Sequence, residues 1–452
     1  MEKNLTTGSV FRNIATFSLP YLLSYFLQTL YGMADLFIIG QFAGVESTTA
    51  VSIGSQVMHM ITVMIVGLAM GTTVCVGKAT GSGDNRKAAA SIGNTVTLFM
   101  SVSVGLTAVL LLFTDTIVSA MSTPEEAVGG TVSYLVVCFI GIPFITAYNI
   151  TSSIFRGLGD SKSPMYFIAV ACAANIALDY LFMGALDLGP MGAALGTTLS
   201  QAISVIISLV VIMRRKISAM PRREDFKPRK TVMSEILKIG VPVAFQDGFI
   251  QIAFIVITII VNQRGLNDAA AVGIVEKIIS FIFLVPSSML STVSALGAQN
   301  IGAGKPERAV KTLKYAVMIT VGFGFFAVAA VQLTAEQLVS LFTDVNAQGG
   351  ADVVRLGGQY LRGYIFDCIF AGIHFSFSGY FCACGKSGIS FLHNFISIVC
   401  ARIPIAYITS VMFPDTLFPM GLATTAGSFI SVVICVAAFA IISRKGGNSV
   451  EK

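Results

Sequence analysis

The chain has 452 residues, 55% hydrophobic and 12% charged, with mean hydropathy +0.81. Soluble globular domains carry about 25% charged residues, so that class is excluded, and the apolar residues recur as span-length runs from end to end, as in a polytopic membrane protein. The formal net charge of +6 does not signal nucleic-acid binding, because the basic residues follow membrane topology.

In chain order, apolar runs predict twelve spans: 13–40, 50–75, 88–113, 129–152, 163–185 and 190–213 in the first half. The second half reads 234–261, 269–292, 309–332, 353–377, 389–411 and 419–443. The first residues are polar and the first apolar run outlasts a signal-type segment, so no cleavable leader is expected. The eight cysteines lie mostly in apolar runs without a C-x-x-C pair, and read as small buried hydrophobes.

The connecting loops alternate in charge. Most of the 29 Lys and Arg fall on one side, in loops such as Lys78–Lys87, Arg214–Lys230 and Lys305–Lys314, with Lys3, Arg444, Lys445 and Lys452 at the termini. The opposite loops hold Arg264 among Glu46, Asp115, Asp187, Asp344 and Asp415. The positive-inside rule puts both termini in the cytoplasm, which requires an even span count. The expected organisation is an amino-terminal six-helix lobe, 1–213, a basic cytoplasmic linker, 214–230, and a carboxy-terminal six-helix lobe, 231–452. The linker reads as a solvated loop that touches anionic headgroups.

The halves repeat. G-S-G-D-N-R-K-A at 81–88 matches G-A-G-K-P-E-R-A at 302–309, an offset of 221 (81 to 302). Phe155, Gly159 and Ser161 match Phe381, Gly385 and Ser387 at offset 226 (155 to 381), and P-M-G at 190–192 matches 419–421 at offset 229 (190 to 419). Six spans return the chain to its starting side, so the halves are parallel repeats related by an axis along the membrane normal, with substrate expected between them. Pro20 and Pro242 fall inside the first span of each half, as static kinks or moving hinges.

Asp179 is the one charge within 164–186, and Asp35 the one within 17–44. A carboxylate in hydrocarbon is costly and marks an ion or substrate path. Asn175 lies one helical turn before Asp179 on the same face. Thr197 and Thr198 follow in the next span, and Asn149 lies in the preceding one. Two carboxylates close together do not both ionise cheaply, so the set reads as a proton site. The same oxygens also suit a small hard cation, and the bland alternative is polar glue between helices. In the second half Asp247, Asp367 and Arg402 are candidates for a substrate cleft, with Asp367 and Arg362 as a possible structural ion pair. His59, His374 and His393 have no metal-ligand spacing and read as hydrogen-bonding residues. G-Y-F-C-A-C-G-K-S at 379–387 lacks the spacing and strand context of a phosphate loop.

F-R-G-L-G-D-S-K-S-P at 155–164, Y-G-M-A-D-L-F-I-I-G at 31–40, A-N-I-A-L-D-Y-L-F at 174–182 and P-M-G-A-A-L-G-T-T-L-S-Q at 190–201 resemble the multidrug and toxic compound extrusion (MATE) family, in its prokaryotic DinF-like branch. The resemblance implies an all-α protein of twelve helices in two pseudo-twofold-related bundles flanking a V-shaped cleft. It implies export of organic, cationic or amphipathic compounds in exchange for H⁺ or Na⁺. The family's first-lobe cation site falls on Asp35, Asn149, Asn175, Asp179 and Thr197, and its hinge proline on Pro20. The acidic residue that the NorM-like branch carries after the seventh-helix proline is absent, with Ile250 and Gln251 in its place. The expected partners are small organic substrates and the bilayer, with no nucleic acid, no cofactor beyond the coupling ion, and a monomeric state in the prokaryotic cytoplasmic membrane. A lipid-linked oligosaccharide flippase is the nearest rival. An enzyme is disfavoured because no nucleophile and base, and no metal-ligand set, is visible.

Overall fold

The computed structural model describes residues 4–215, 219–343 and 349–447. The charges read at Lys3, Lys216, Asp344 and Lys452, and the side chain of Lys445, lie outside the described residues.

Backbone N–H and C=O groups find no partners in lipid, so each apolar run closes its own ladder as a helix. In the first half, α1 is Val10–Phe42, α2 Val45–Gly81, α3 Asn85–Leu112, α4 Glu125–Gly157, α5 Lys162–Ala185 and α6 Gly189–Arg214. In the second half, α7 is Lys230–Asn262, α8 Leu266–Gly302, α9 Pro306–Ser340, α11 Ser387–Met412 and α12 Phe418–Gly447. The tenth span, α10, is two helices, Gly350–Tyr364 and Asp367–Ala383, bent by 42°. At the bend Cys368 N–H donates to Ile365 and Ile369 N–H to Phe366, a tighter i→i−3 pattern that turns the axis. The sequence predicts one straight run there, and nothing in its composition marks the break.

Large apolar side chains coat the outside: Leu19 is 68% exposed, Phe326 70% and Leu333 79%. Continuous apolar exposure of this kind is foreign to soluble proteins and belongs to lipid-facing helices. This is a multi-pass membrane protein.

The helices overrun the predicted spans. α2 and α8 run on to matched turns, where Asp84 N–H bonds to Ala79 and Gly83 to Thr80, while Lys305 bonds to Asn300 and Gly304 to Ile301. These are Schellman closures on a left-handed glycine, φ 74° at Gly83 and 68° at Gly304.

Two compact units divide the chain. The first holds Ala15–Ala244 and Ala298–Lys305 with the residues up to Gly8; the second holds Ser9–Ile14, Phe245–Gly297 and Pro306 onward. The division falls within α7, just past Pro242, and not in the linker. In the first unit, backbone contact explains why the start of α7 stays with α2: a Cβ on Gly71 would collide with the Ile236 carbonyl, and one on Gly240 with that of Leu68. Its apolar core gathers Ile38, Val51, Leu135, Phe139, Ile142 and Ala193. The core of the second unit gathers Val275, Val331, Leu361, Ile365, Leu417 and Ala423.

The described part of the linker is not a loose solvated loop. Residues Arg223–Phe226 form a 3₁₀ turn docked on α3. Asp225 is 1% exposed and accepts from the Arg222 backbone at 2.8 Å. Asn94 on α3 donates to the Asp225 carbonyl at 3.0 Å and accepts from Arg229 N–H at 2.7 Å. Thr97 donates to the Phe226 carbonyl at 2.7 Å.

Candidate functional site

Asp35 and Asp179 meet in the interior of the first unit. Asp35 on α1 is 3% exposed and Asp179 on α5 is fully buried. Thr197 on α6 donates its hydroxyl to Asp35 Oδ2 at 3.1 Å. The two carboxyl groups lie within electrostatic reach of each other, with Asn175 in reach of both. The bond from Thr197 is nevertheless the one well-formed hydrogen bond among them. Asp35 Oδ1, both Asp179 oxygens and both Asn175 amide atoms lack a partner. Buried polar atoms without a protein partner are rare and costly, which sets this cluster apart as the candidate site.

The backbone around the cluster is unusual. Asp179 is the last α-helical residue of its span, and the chain then runs through a π-helical turn, Tyr180–Ala185. Such turns loosen the ladder and recur at functional sites. Opposite, Gly196 leaves room for the acid: a Cβ there would collide with Asp179 Oδ1 and touch Asn175 Nδ2 at 3.4 Å.

Of the sequence-predicted set, the structure brings Asp35, Asn175, Asp179 and Thr197 together. Asn149 is buried, but its amide donates to the Ile145 carbonyl at 2.8 Å, one turn back on its own helix. Pro20 lies inside α1, and Ser24 donates to its carbonyl at 2.9 Å. Three contributors escaped sequence reasoning. Tyr31, one turn before Asp35, directs its hydroxyl at the Thr197 carbonyl at 3.5 Å. Tyr134 on α4 pairs with Ser55 on α2 at 3.1 Å and feels the Asp35 charge. Gly196 is the third. Spacing to Asp35 could have found Tyr31; no local signal marks the other two.

The second unit carries a different cluster. Arg402 ends a π-helical turn in α11, Ile398–Arg402. Its guanidinium lies 4.6 Å from the Phe254 ring centroid and donates to Tyr364 Oη at 3.2 Å. Asp367, 2% exposed, and Glu276 both lie within its electrostatic reach, and Asp367 Oδ1, Glu276 Oε1 and Arg402 Nε lack partners. The expected Arg362–Asp367 pair is not formed. Arg362 instead bonds Glu336 on α9 at 3.0 Å, because residues five apart, with a bend between them, face different neighbours. Asp247 is half-buried in the neighbourhood of Gln246 and Cys382. His393 bonds Ser378 at 2.9 Å, and its ring centre lies 5.5 Å from that of His374. The two histidines, remote in sequence, are thus neighbours.

The repeat is visible bond by bond. Thr73 donates to the Ser153 carbonyl at 3.1 Å, and its counterpart Ser294 to that of Gly379 at 3.2 Å. Within the first unit, Gly81 sits against the Gln299 carbonyl and Gly302 against that of Lys78, each pair the image of the other at offset 221.

Comparison with known proteins agrees with this duplication. The family model MatE matches residues 20–181 and again 242–408, one stretch in each half. The chain belongs to the MatE family. Among its relatives, the Probable multidrug resistance protein YpnP of Bacillus subtilis is 28% identical over 89% of this chain and 88% of its own length. The multidrug export protein MepA of Staphylococcus aureus is 25% identical over 83% and 82%. Among solved structures, a MATE in complex with MaL6 superposes with a TM-score of 0.91 at 22% identity, covering 99% of both chains. An outward-facing multidrug resistance MATE family transporter gives 0.90 at 23%, covering 97% of both. At that identity the likeness establishes the fold, and this MatE protein shares it end to end.

Proposed function

We propose that this MatE protein is an antiporter, not an enzyme, that exports organic cationic or amphipathic compounds in exchange for H⁺ or Na⁺. The multidrug export named for its relatives supports the substrate class. The observation that carries the coupling is the facing pair Asp35 and Asp179, buried and largely without hydrogen-bond partners. Two ionised carboxylates in so buried a site repel. A proton or sodium ion entering from outside relieves that repulsion, and its departure restores it. The difference is the energy that biases two conformations.

In this reading the ion neutralises the pair, α1 repacks around Pro20, and the substrate is released outward. Both termini and the basic linker face the cytoplasm, as the charge asymmetry of the loops indicates. The protein works as a monomer on small organic substrates in the cytoplasmic membrane. One charge moving down about 100 mV yields about 2.3 kcal/mol. At about 1.4 kcal/mol per tenfold, that sustains roughly a 50-fold substrate gradient, enough for resistance-type export.

The test is dye efflux from proteoliposomes driven by a pH gradient alone and then by a sodium gradient alone. One of the two gradients drives export in the wild type. Export driven equally well with neither gradient present contradicts the proposal.

A further inference from the structure

Beside the docked linker lies a groove unrelated to the carboxylate pair. It has a volume of about 360 Å³ and is lined by Thr97, Leu98, Ser101 and Val102 of α3 with Pro228 and Met233. One wall is thus the outward face of a spanning helix, and the other is the end of the linker and the first turns of α7. Ser101 and Val102 are exposed, on a helix whose outer surface meets lipid. The rim is basic. Lys227 and Lys230, exposed, flank Pro228 and Arg229 in the chain. Arg229 keeps part of its charge occupied with Asp225 at 3.7 Å, and Arg86 is held by the same acid at 3.5 Å. Phe226, 39% exposed, stands at the same level.

The geometry points to a binding site for one anionic phospholipid: an acyl chain in the groove along α3, and the headgroup phosphate at Lys227 and Lys230. The choice of occupant rests on charge and place together. An apolar trough that opens toward hydrocarbon and ends in a basic rim matches a lipid with a negative headgroup. A soluble anion would leave the trough empty, and a zwitterionic lipid would leave the rim uncompensated. The docked linker makes the rim a fixed feature, since Asn94 and Thr97 of α3 bond the backbone on either side of it. Linker and groove are therefore one unit, and lipid bound there adds to the contacts that keep the linker on α3. The inference uses the cytoplasmic placement of the linker proposed above, which puts the rim at the anionic leaflet.

Native mass spectrometry of the full-length protein, released from nanodiscs containing phosphatidylglycerol and phosphatidylcholine of identical acyl chains, tests this directly. The wild type retains phosphatidylglycerol with about a thirtyfold preference, the size that two basic residues supply at an anionic surface at about 1 kcal/mol each. Lys227→Gln with Lys230→Gln removes the preference; Arg229 is left intact because it also pairs with Asp225. Ser101→Trp, on an exposed face where the fold tolerates bulk, fills the trough and lowers retention of both lipids. Equal retention of phosphatidylglycerol by all three proteins, or no preference in the wild type, overturns the site. The readout is lipid and not efflux, so its failure leaves the transport reading untouched.

Discussion

The first and second halves of the chain share a backbone plan and differ in what they bury. Their matched helices close on the same glycine turns, and the Thr73–Ser153 bond recurs as Ser294–Gly379. Each half also loosens one helix into a π-helical turn beside a buried charge, at Asp179 in α5 and at Arg402 in α11. The charges there are opposite in kind. The first half sets two acids against each other with no base among their contacts, whereas the second sets Arg402 beside Glu276 and Asp367. A cluster that includes a guanidinium supplies its own counter-charge. The acid pair has no such partner, and in the proposed coupling its counter-charge is the entering ion. Duplication thus provided the scaffold twice, and side-chain divergence gave the two copies different buried charges.

The largest expected effects lie on that difference. Asp35→Asn and Asp179→Asn each abolish ion-driven dye efflux in proteoliposomes while the protein is still made and inserted. Asp367→Asn, with Arg402 beside it, retains efflux at a reduced rate. Normal efflux in either first-half variant removes the contrast between the halves.

Next come the glycines that seat the charges. Gly196→Ala drives a Cβ into Asp179 Oδ1, and the account expects at least about a tenfold loss of efflux, equivalent to about 1.4 kcal/mol of mispositioning. Gly427→Ala meets Ser397 Oγ at 2.9 Å and Arg402 Cβ at 3.2 Å, and is expected to lower thermal stability more than coupling. Efflux and melting temperature, measured side by side, separate the two.

Asp160, in the turn between α4 and α5, has no acidic counterpart, since Lys386 stands at the matching position. Burial alone would raise its carboxyl, but the hydroxyl of Ser163 at 2.7 Å and the Ser163 N–H at 3.0 Å outweigh this and hold it below the ordinary carboxylate value. A lowered folded-state value means stability present above the ordinary range and lost as pH falls through it. Asp160→Asn is therefore expected to cost about 1–2 kcal/mol at neutral pH and to flatten the acid limb of a melting-temperature profile. An unchanged acid limb contradicts the assignment.

Smaller still, Thr73→Ala and Ser294→Ala remove matched interhelical bonds, each worth about 0.6 kcal/mol in a membrane bundle. Equal shifts in denaturation midpoint support energetic as well as geometric repetition, and unequal ones show where it stops. Arg362→Gln breaks a partly exposed pair with Glu336 and is expected to change stability by no more than about 0.5 kcal/mol.

The span count, the duplication and the meeting of Asp35 with Asp179 were legible because each leaves a local mark: an apolar run, a repeated turn motif, a lone charge in hydrocarbon. The bend after Tyr364 was not, because it arises from a switch in hydrogen-bond pattern and not from a proline or glycine at the break. The Arg362–Glu336 pair joins residues on different helices, and charge spacing along one helix pointed instead to Asp367. The docking of the linker was hidden for the same reason: Asp225 looks like one acid in a basic loop until Asn94, far away in sequence, meets its backbone. Tyr134, Gly196 and the His374–His393 pairing likewise depend on which helices become neighbours.

Ion exchange at the acid pair can be read most directly by adding substrate to purified protein in weakly buffered solution and recording released protons, with displaced sodium followed in parallel. The account predicts release of one or the other from the wild type and none from the Asp35→Asn, Asp179→Asn double variant. The same release from the double variant would show that the coupling ion resides elsewhere.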